Sequence, residues 1–138
     1  MGTRSNTLVI GEYDVGYEGT KDVQILNMYR QMDGYPEGHG MELLKFLEPI
    51  EVVNGFTNSQ IKQANGAGCL AAQMVAHFKV GVGGIYIEPP MVGVEFENNF
   101  TYAVVVKGDV IKVVVYEWDD SIFSGTVPEF KKFIEGTL

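Results

Sequence analysis

Two strand-forming runs, separated by only two residues, constrain the fold of this chain more than any other feature. Residues 100–107 and 110–118 are rich in β-branched and aromatic side chains, and Gly108 and Asp109 join them. Glycine at the first central position suits a type II′ turn, which is a common connection between antiparallel strands. We therefore predict a β-hairpin over residues 100–118.

Three other segments carry weaker strand patterns. Residues 7–13 and 23–29 are apolar runs rich in strand-forming residues, and the connection between them contains two glycines, which predicts a hairpin with a longer loop. Residues 85–87 predict a short strand. Glu88-Pro89-Pro90 ends it, because proline removes a backbone donor and restricts the residue before it.

Helical spacing of apolar residues predicts helices over 41–47 and 67–79 and from Pro128 to the end of the chain. A further short helix is predicted from Thr57 or Asn58 through Ile61 and Ala64. The order of these elements favours a single α+β domain over residues 1–138. We expect a largely antiparallel sheet of about five strands packed with three or four helices.

Charge and cysteine content restrict the partners of the chain. Ten basic and eighteen acidic residues give a net charge of -8, which opposes binding to phosphate backbones and argues against a nucleic-acid partner. The single cysteine, Cys69, excludes an intrachain disulfide framework and fits a reducing compartment. No apolar run is long enough to cross a bilayer, so we expect no membrane association and a cytoplasmic location.

The densest group of reactive side chains occupies a glycine-rich turn over residues 29–40 and the start of the helix that follows. An arginine that binds anions, a histidine that moves protons near neutral pH, and neighbouring carboxylates would form an anion or acid/base site. The candidate ligand- or partner-binding residues are Arg30, Asp33, Tyr35, Glu37, His39 and Glu42. The ring of His39, between two glycines, is expected to be accessible.

The same turn also has a purely structural interpretation. Arg30 would pair with Asp33 to brace the turn, and two tyrosines, Tyr29 and Tyr35, would cover the edge of the core. Gly38 and Gly40 would then supply only backbone freedom.

No motif in the sequence predicts a metal or a cofactor. His39 and His77 lack the spacing of four residues on one helix that a paired-histidine zinc site needs. The glycines at 81, 83 and 84 follow a helix and precede a strand, whereas phosphate-binding loops run from strand into helix. We interpret these glycines as the end of the helix.

Residues 29–38, followed by the apolar helix at 43–47, resemble a motif in an uncharacterised family of small phage and bacterial proteins. The shared pattern is an arginine, an Asp-Gly-Tyr-Pro turn and a helix. The resemblance implies a phage or bacterial cytosolic setting. It implies no activity, since none is attached to that family.

Our leading hypothesis is a noncatalytic accessory or interaction protein whose turn from Arg30 to His39 binds a protein partner or a small anionic ligand. The alternative is a small enzyme acting on a phosphorylated or carboxylate substrate. In that case Arg30 would be the anion clamp, His39 the acid/base, and Asp33 or Glu42 the orienting carboxylate. A third hypothesis is a homo-oligomer built through an exposed hairpin edge in the valine-rich strands at 103–115.

Overall fold

The computed structural model describes residues 2–55, 61–91 and 97–138. Its helices are α1 (Met41–Leu47), α2 (Gly66–Phe78) and α3 (Val127–Thr137). Its strands are β1 (Ser5–Asp14), β2 (Thr20–Arg30), β3 (Glu51–Val53), β4 (Gln63–Asn65), β5 (Ile85–Ile87), β6 (Phe100–Lys107), β7 (Val110–Glu117) and β8 (Asp120–Thr126). None of the helices in these described ranges is long and apolar enough to cross a membrane.

Six of the strands form one sheet in the order β5-β2-β1-β6-β7-β8, and β3 pairs with β4 in a small separate sheet. Neighbours in the large sheet are antiparallel, apart from the parallel pair β1 and β6. The predicted α+β fold class with a largely antiparallel sheet is confirmed. The number of strands is higher than predicted, because β3, β4 and β8 add to the expected set.

The predicted hairpin forms between β6 and β7, where Lys107 pairs with Val110 across the turn. Gly108 has a φ of 62°, and the described non-glycine residues with positive φ are Asp33 and Trp118. Positive φ at the first central residue but not at the second is the pattern of a type II′ turn. The glycine therefore adopts a conformation that an L side chain would strain.

The helices cover one face of the large sheet. Alternate residues of the central strands, such as Val9 and Val104, belong to a single buried cluster with Leu43, Leu70 and Phe130 of the helices. Because side chains alternate between the two faces of a strand, this spacing places the three helices on the same side. The sheet therefore has one face in the core.

Two expectations about the arrangement of the strands and helices are wrong. Where a short helix through Ala64 was predicted, Gln63–Asn65 is a strand that pairs in parallel with Glu51–Val53, and the earlier part of that helix, 57–60, lies outside the described residues. Ala64 is fully buried opposite Val52, so pairing between strands replaces a local helix there. The hairpin at 103–115 has no exposed edge, because β1 pairs with β6 and β8 pairs with β7.

Candidate functional site

The turn after β2 is folded by backbone hydrogen bonds into a fixed shape. The amide of Gly34 donates to the carbonyl of Thr3 at 2.9 Å, and the amide of His39 donates to the carbonyl of Asp33 at 2.8 Å. Asp33 has a φ of 61°. Pro36–Gly40 forms a π-helical turn that runs directly into α1. Short π-helical turns are frequent at functional sites.

His39 points into the core, in contrast to the accessible ring expected from its two glycine neighbours. Its side chain is 0% exposed. Its Nε2 atom lies 2.6 Å from the hydroxyl oxygen of Thr7, and its Nδ1 atom lies 3.1 Å from Nη1 of Arg30. The ring also packs against Phe78 and Tyr102, with centroids 5.2 Å away in each case. The π-helical turn therefore places this histidine beneath the surface.

These contacts define the protonation of His39. A guanidinium group can only donate, so Nδ1 accepts from Arg30 and Nε2–H donates to Thr7. Burial, followed by the charge of Arg30, lowers the pKa of His39 to about 3. The ring is therefore neutral near pH 7 and has both nitrogens occupied, which does not suit a general acid or base.

Arg30 is held by three acceptors. Its Nε donates to the carbonyl of Met32 at 2.7 Å, and its Nη1 donates to Glu42 as well as to His39. The bracing carboxylate is therefore Glu42 and not the predicted Asp33. Among the described residues, Nη2 of Arg30 has no hydrogen-bond partner, and the side chain is 18% exposed. One donor atom of a fixed guanidinium group thus stays available.

Arg30 lines a cleft of about 590 Å³, which we call the Arg30 cleft. One wall comes from the turn and α1, and the other comes from the end of α2 and the glycine loop before β5. The cleft is lined by Arg30, Gln31, Met32, Asp33, Glu42, Lys45, His77, Phe78, Val80, Gly83, Gly84 and Ile85. Its volume is in the range of small-molecule sites.

The structure separates the predicted site residues into two groups. Arg30, Asp33 and Glu42 meet at the Arg30 cleft, whereas Tyr35, Glu37 and His39 do not line it. Tyr35 is 37% exposed and Glu37 is exposed, so these two side chains lie on the surface of the turn. The predicted turn therefore contributes only part of its polar side chains to the cleft.

Two lysines at the cleft were not predicted as site residues: Lys45, which lines it, and Lys79, which supports one wall without lining it. Lys45 follows Glu42 by three positions on α1, and this helical spacing, which puts both side chains on one face, was a usable signal. Lys79 shapes the opposite wall, since its Nζ donates to the carbonyls of Gly83 at 3.0 Å and Ile85 at 2.7 Å. No local pattern in the sequence indicates that Lys79 holds this wall.

A cluster of amide side chains on the other face of the sheet was also missed. Nδ2 of Asn6 donates to Oδ1 of Asn27 at 2.7 Å and to Glu88 at 3.3 Å, and Asn98 donates to Asn6. Nδ2 of Asn27 donates in turn to the carbonyl of Pro89 at 2.8 Å. These bonds tie the chain that leaves β5 to the central strands. Their internal pairing gives the amides a structural role.

No group of three or more His, Cys, Asp or Glu side chains in the described part of the chain is arranged to hold a metal ion. Comparison with protein-family models, with curated proteins and with solved structures found no match to this chain. The function proposed below is therefore based on the geometry of the Arg30 cleft.

Proposed function

We propose that this chain is a noncatalytic accessory or interaction protein that holds an anionic group of a protein partner or small ligand in the Arg30 cleft. The observation that carries the proposal is the state of Arg30, which is fixed by three acceptors while its Nη2 lacks a partner among the described residues. A guanidinium group already held in place loses little rotamer freedom when it binds an anion.

Lys45 and Glu42 adjust the charge of the cleft. Lys45 is exposed and has no ion pair among the described residues, so it supplies a second cation. The side chain of Glu42 is 51% exposed, and an ion pair of that kind contributes little to stability. An incoming carboxylate or phosphate can therefore take the place of Glu42 beside Arg30, which the Met32 carbonyl and His39 still hold in position.

The setting proposed for this activity is the cytoplasm of a bacterium or a phage-infected cell. The resemblance of residues 29–38 and 43–47 to a motif of small phage and bacterial proteins supports it, as does the single cysteine.

Binding assays on matched lysine variants test the proposal. We expect inorganic phosphate, succinate or a glutamate-rich peptide to raise the thermal midpoint of the wild type, because a ligand of the folded state stabilises it. Lys45→Ala should weaken binding about tenfold to a hundredfold, since a hydrogen bond from a charged donor contributes about 1.5–3 kcal/mol. Glu42→Gln should tighten it by removing the competing carboxylate.

The control is Lys107→Ala, which removes another exposed lysine, paired with Asp22 at 3.4 Å and outside the Arg30 cleft, and should leave binding unchanged. The proposal fails if none of the three probes shifts the midpoint of the wild type. It also fails if Lys45→Ala and Lys107→Ala bind the same probe with equal affinity.

The alternative function, a small enzyme acting on a phosphorylated or carboxylate substrate, now involves a different histidine. His77 is exposed and lines the same cleft as Arg30, whereas His39 is buried. In this alternative Arg30 clamps the anion and His77 transfers the proton. Turnover of a substrate bound by the wild type, lost in His77→Gln with binding retained, would favour the enzyme over the binding protein.

A further inference from the structure

The two edges of the large sheet differ in how they are protected. At one edge, β5 has three residues, the carbonyl of Ile85 accepts from Lys79, and two prolines follow closely. Short strands, lysines and prolines are the usual protection of a sheet edge against pairing with another chain. The β5 edge is therefore blocked.

At the other edge, β8 has seven residues and lacks the short length, the lysine contact and the prolines that protect β5. Its pairing with β7 has one irregularity, where the register shifts between Val115 and Tyr116 and Ile122 has no partner on β7. Its sequence from Ser121 to Thr126 contains neither a charged residue nor a proline. One side of β8 pairs with β7, and no strand of the described residues pairs with its other side. Alternate backbone N–H and C=O groups of an edge strand point outward, so β8 presents donors and acceptors along this side. The exception is its last residue, Thr126, whose amide already donates to Glu129 at 2.9 Å.

Charges of opposite sign flank the two ends of β8. Where the strand begins, Asp120 lies opposite Glu117 of β7, so two carboxylates are adjacent there. Near its end, Lys112 of β7 lies opposite Thr126. The carboxylate of Glu129 accepts a hydrogen bond from the amide of Thr126. This hydrogen bond, followed by the charges of Lys112 and Lys132, lowers the pKa of Glu129. The edge thus has an acidic end, and an opposite end where two lysines and one glutamate, Glu129 of the α3 capping box, give a net positive charge.

This pattern is complementary to itself in one orientation. When two identical strands pair antiparallel about a two-fold axis, the beginning of each lies against the end of the other. The acidic end of one copy then meets the lysines of the other. Parallel pairing would instead oppose like charges, which is unfavourable.

Apolar side chains next to β8 add contact area. Phe123 stacks on Phe133 of α3 with ring centroids 4.9 Å apart, and both rings are only half-buried. Ile122, on the strand itself, is 39% exposed. A second copy at this edge would cover part of these side chains, and burial of apolar area favours association.

We propose that β8 is a self-association edge, where two copies of this chain pair their β8 strands antiparallel about a two-fold axis and form one continuous twelve-stranded sheet from two six-stranded sheets. This inference does not depend on the proposed function, because the Arg30 cleft lies beside β5 at the opposite end of the sheet.

Light scattering and sedimentation velocity on the purified chain test this directly. We expect the wild type to have twice the monomer mass of 15.2 kDa, with a dimer that dissociates on dilution. Ser124→Lys places a lysine in the middle of the exposed edge, and Asp120→Lys reverses one charge of the acidic end. Each should weaken dimerisation about tenfold or more. The double variant Asp120→Lys/Lys132→Glu should recover part of the loss.

The matched control is Tyr17→Lys, which adds the same charge at a fully exposed position in the β1–β2 connection and should remain a dimer. Circular dichroism shows whether each variant is folded. A wild type with the monomer mass at every concentration overturns the proposal. So does a folded Ser124→Lys or Asp120→Lys variant that dimerises as tightly as Tyr17→Lys.

Discussion

Nε2 of His39 lies 2.6 Å from the hydroxyl oxygen of Thr7, which joins the turn after β2 to the central strand of the sheet. Both side chains are completely buried. The same histidine accepts from Arg30 through Nδ1, so one ring links the core to the residue that lines the Arg30 cleft. The position of Arg30 therefore depends on a hydrogen bond that no solvent reaches.

The variant Thr7→Val tests this bond. Valine has nearly the same shape but leaves Nε2–H of His39 buried without an acceptor, which should lower the free energy of unfolding by about 1–3 kcal/mol. Thr101→Val is the matched control, because the Thr101 hydroxyl is equally buried and has no hydrogen-bond partner among the described residues. That control should be neutral or stabilising. Equal losses in urea denaturation of the two variants would contradict the assignment.

The buried histidine also makes a prediction about pH. The unfolded chain binds a proton at His39 below about pH 6.5, whereas the folded chain does not bind one until about pH 3. The contribution of His39 to stability is therefore complete above pH 6.5 and is lost as the pH falls toward 3, with a limiting slope of about 1.4 kcal/mol per pH unit.

Urea denaturation of His39→Gln, followed across this pH range, measures that contribution. The variant should be less stable than the wild type at pH 7 and should lose less stability on acidification. His77→Gln is the control, because it makes the same substitution at the other histidine of the chain, which is exposed. Parallel profiles for the wild type and His39→Gln would show that His39 is not buried in its neutral form.

Two glycine substitutions are expected to have opposite signs. A Cβ at Gly38 would lie 2.6 Å from the backbone oxygen of Asp33, so Gly38→Ala should displace the turn and lower the free energy of unfolding by about 1–3 kcal/mol. A Cβ at Gly136 of α3 would meet nothing within 4 Å, and Gly136→Ala should raise it by about 0.5 kcal/mol. Thermal unfolding of the two variants compares them. A neutral Gly38→Ala would show that the turn can relax.

Tyr102 provides a spectroscopic prediction. Its hydroxyl donates to the carbonyl of Gly34 at 2.7 Å, and burial, followed by the charge of Glu37, raises its pKa. In an alkaline titration followed by ultraviolet absorbance, Tyr102 should ionise only when the chain unfolds. Tyr102→Phe should remove that late phase and cost about 1 kcal/mol of stability. A late phase that persists in this variant would assign it to another tyrosine.

Local sequence predicted most of the large sheet. The runs that became β6 and β7 are rich in valine, and the glycine that joins them suits the turn, so their pairing could be predicted from local sequence. By contrast, β8 contains two serines and a glycine, which are weak strand formers, and it depends on the free side of β7 for its pairing. That dependence is tertiary and has no local signature.

The candidate site was predictable only where its residues are close in sequence. Arg30 and Glu42 belong to one turn and its following helix, and their grouping was recognised. The burial of His39 was not predictable, because its partner Thr7 lies 32 residues away and the rings of Phe78 and Tyr102 that enclose it come from other elements. Glycines on both sides of a residue indicate backbone freedom, not exposure.

The parallel pairing of β1 with β6 has a consequence for the order of folding. Ser5 lies opposite Phe100, and 95 positions of chain separate the neighbouring contact between Arg4 and Asn99. Closing so long a loop slows folding. One edge of β1 pairs only with β6, so β1 cannot complete its hydrogen bonds until β6 has been synthesised. A strand that precedes most of the sheet in the chain is therefore among the last to be fully paired.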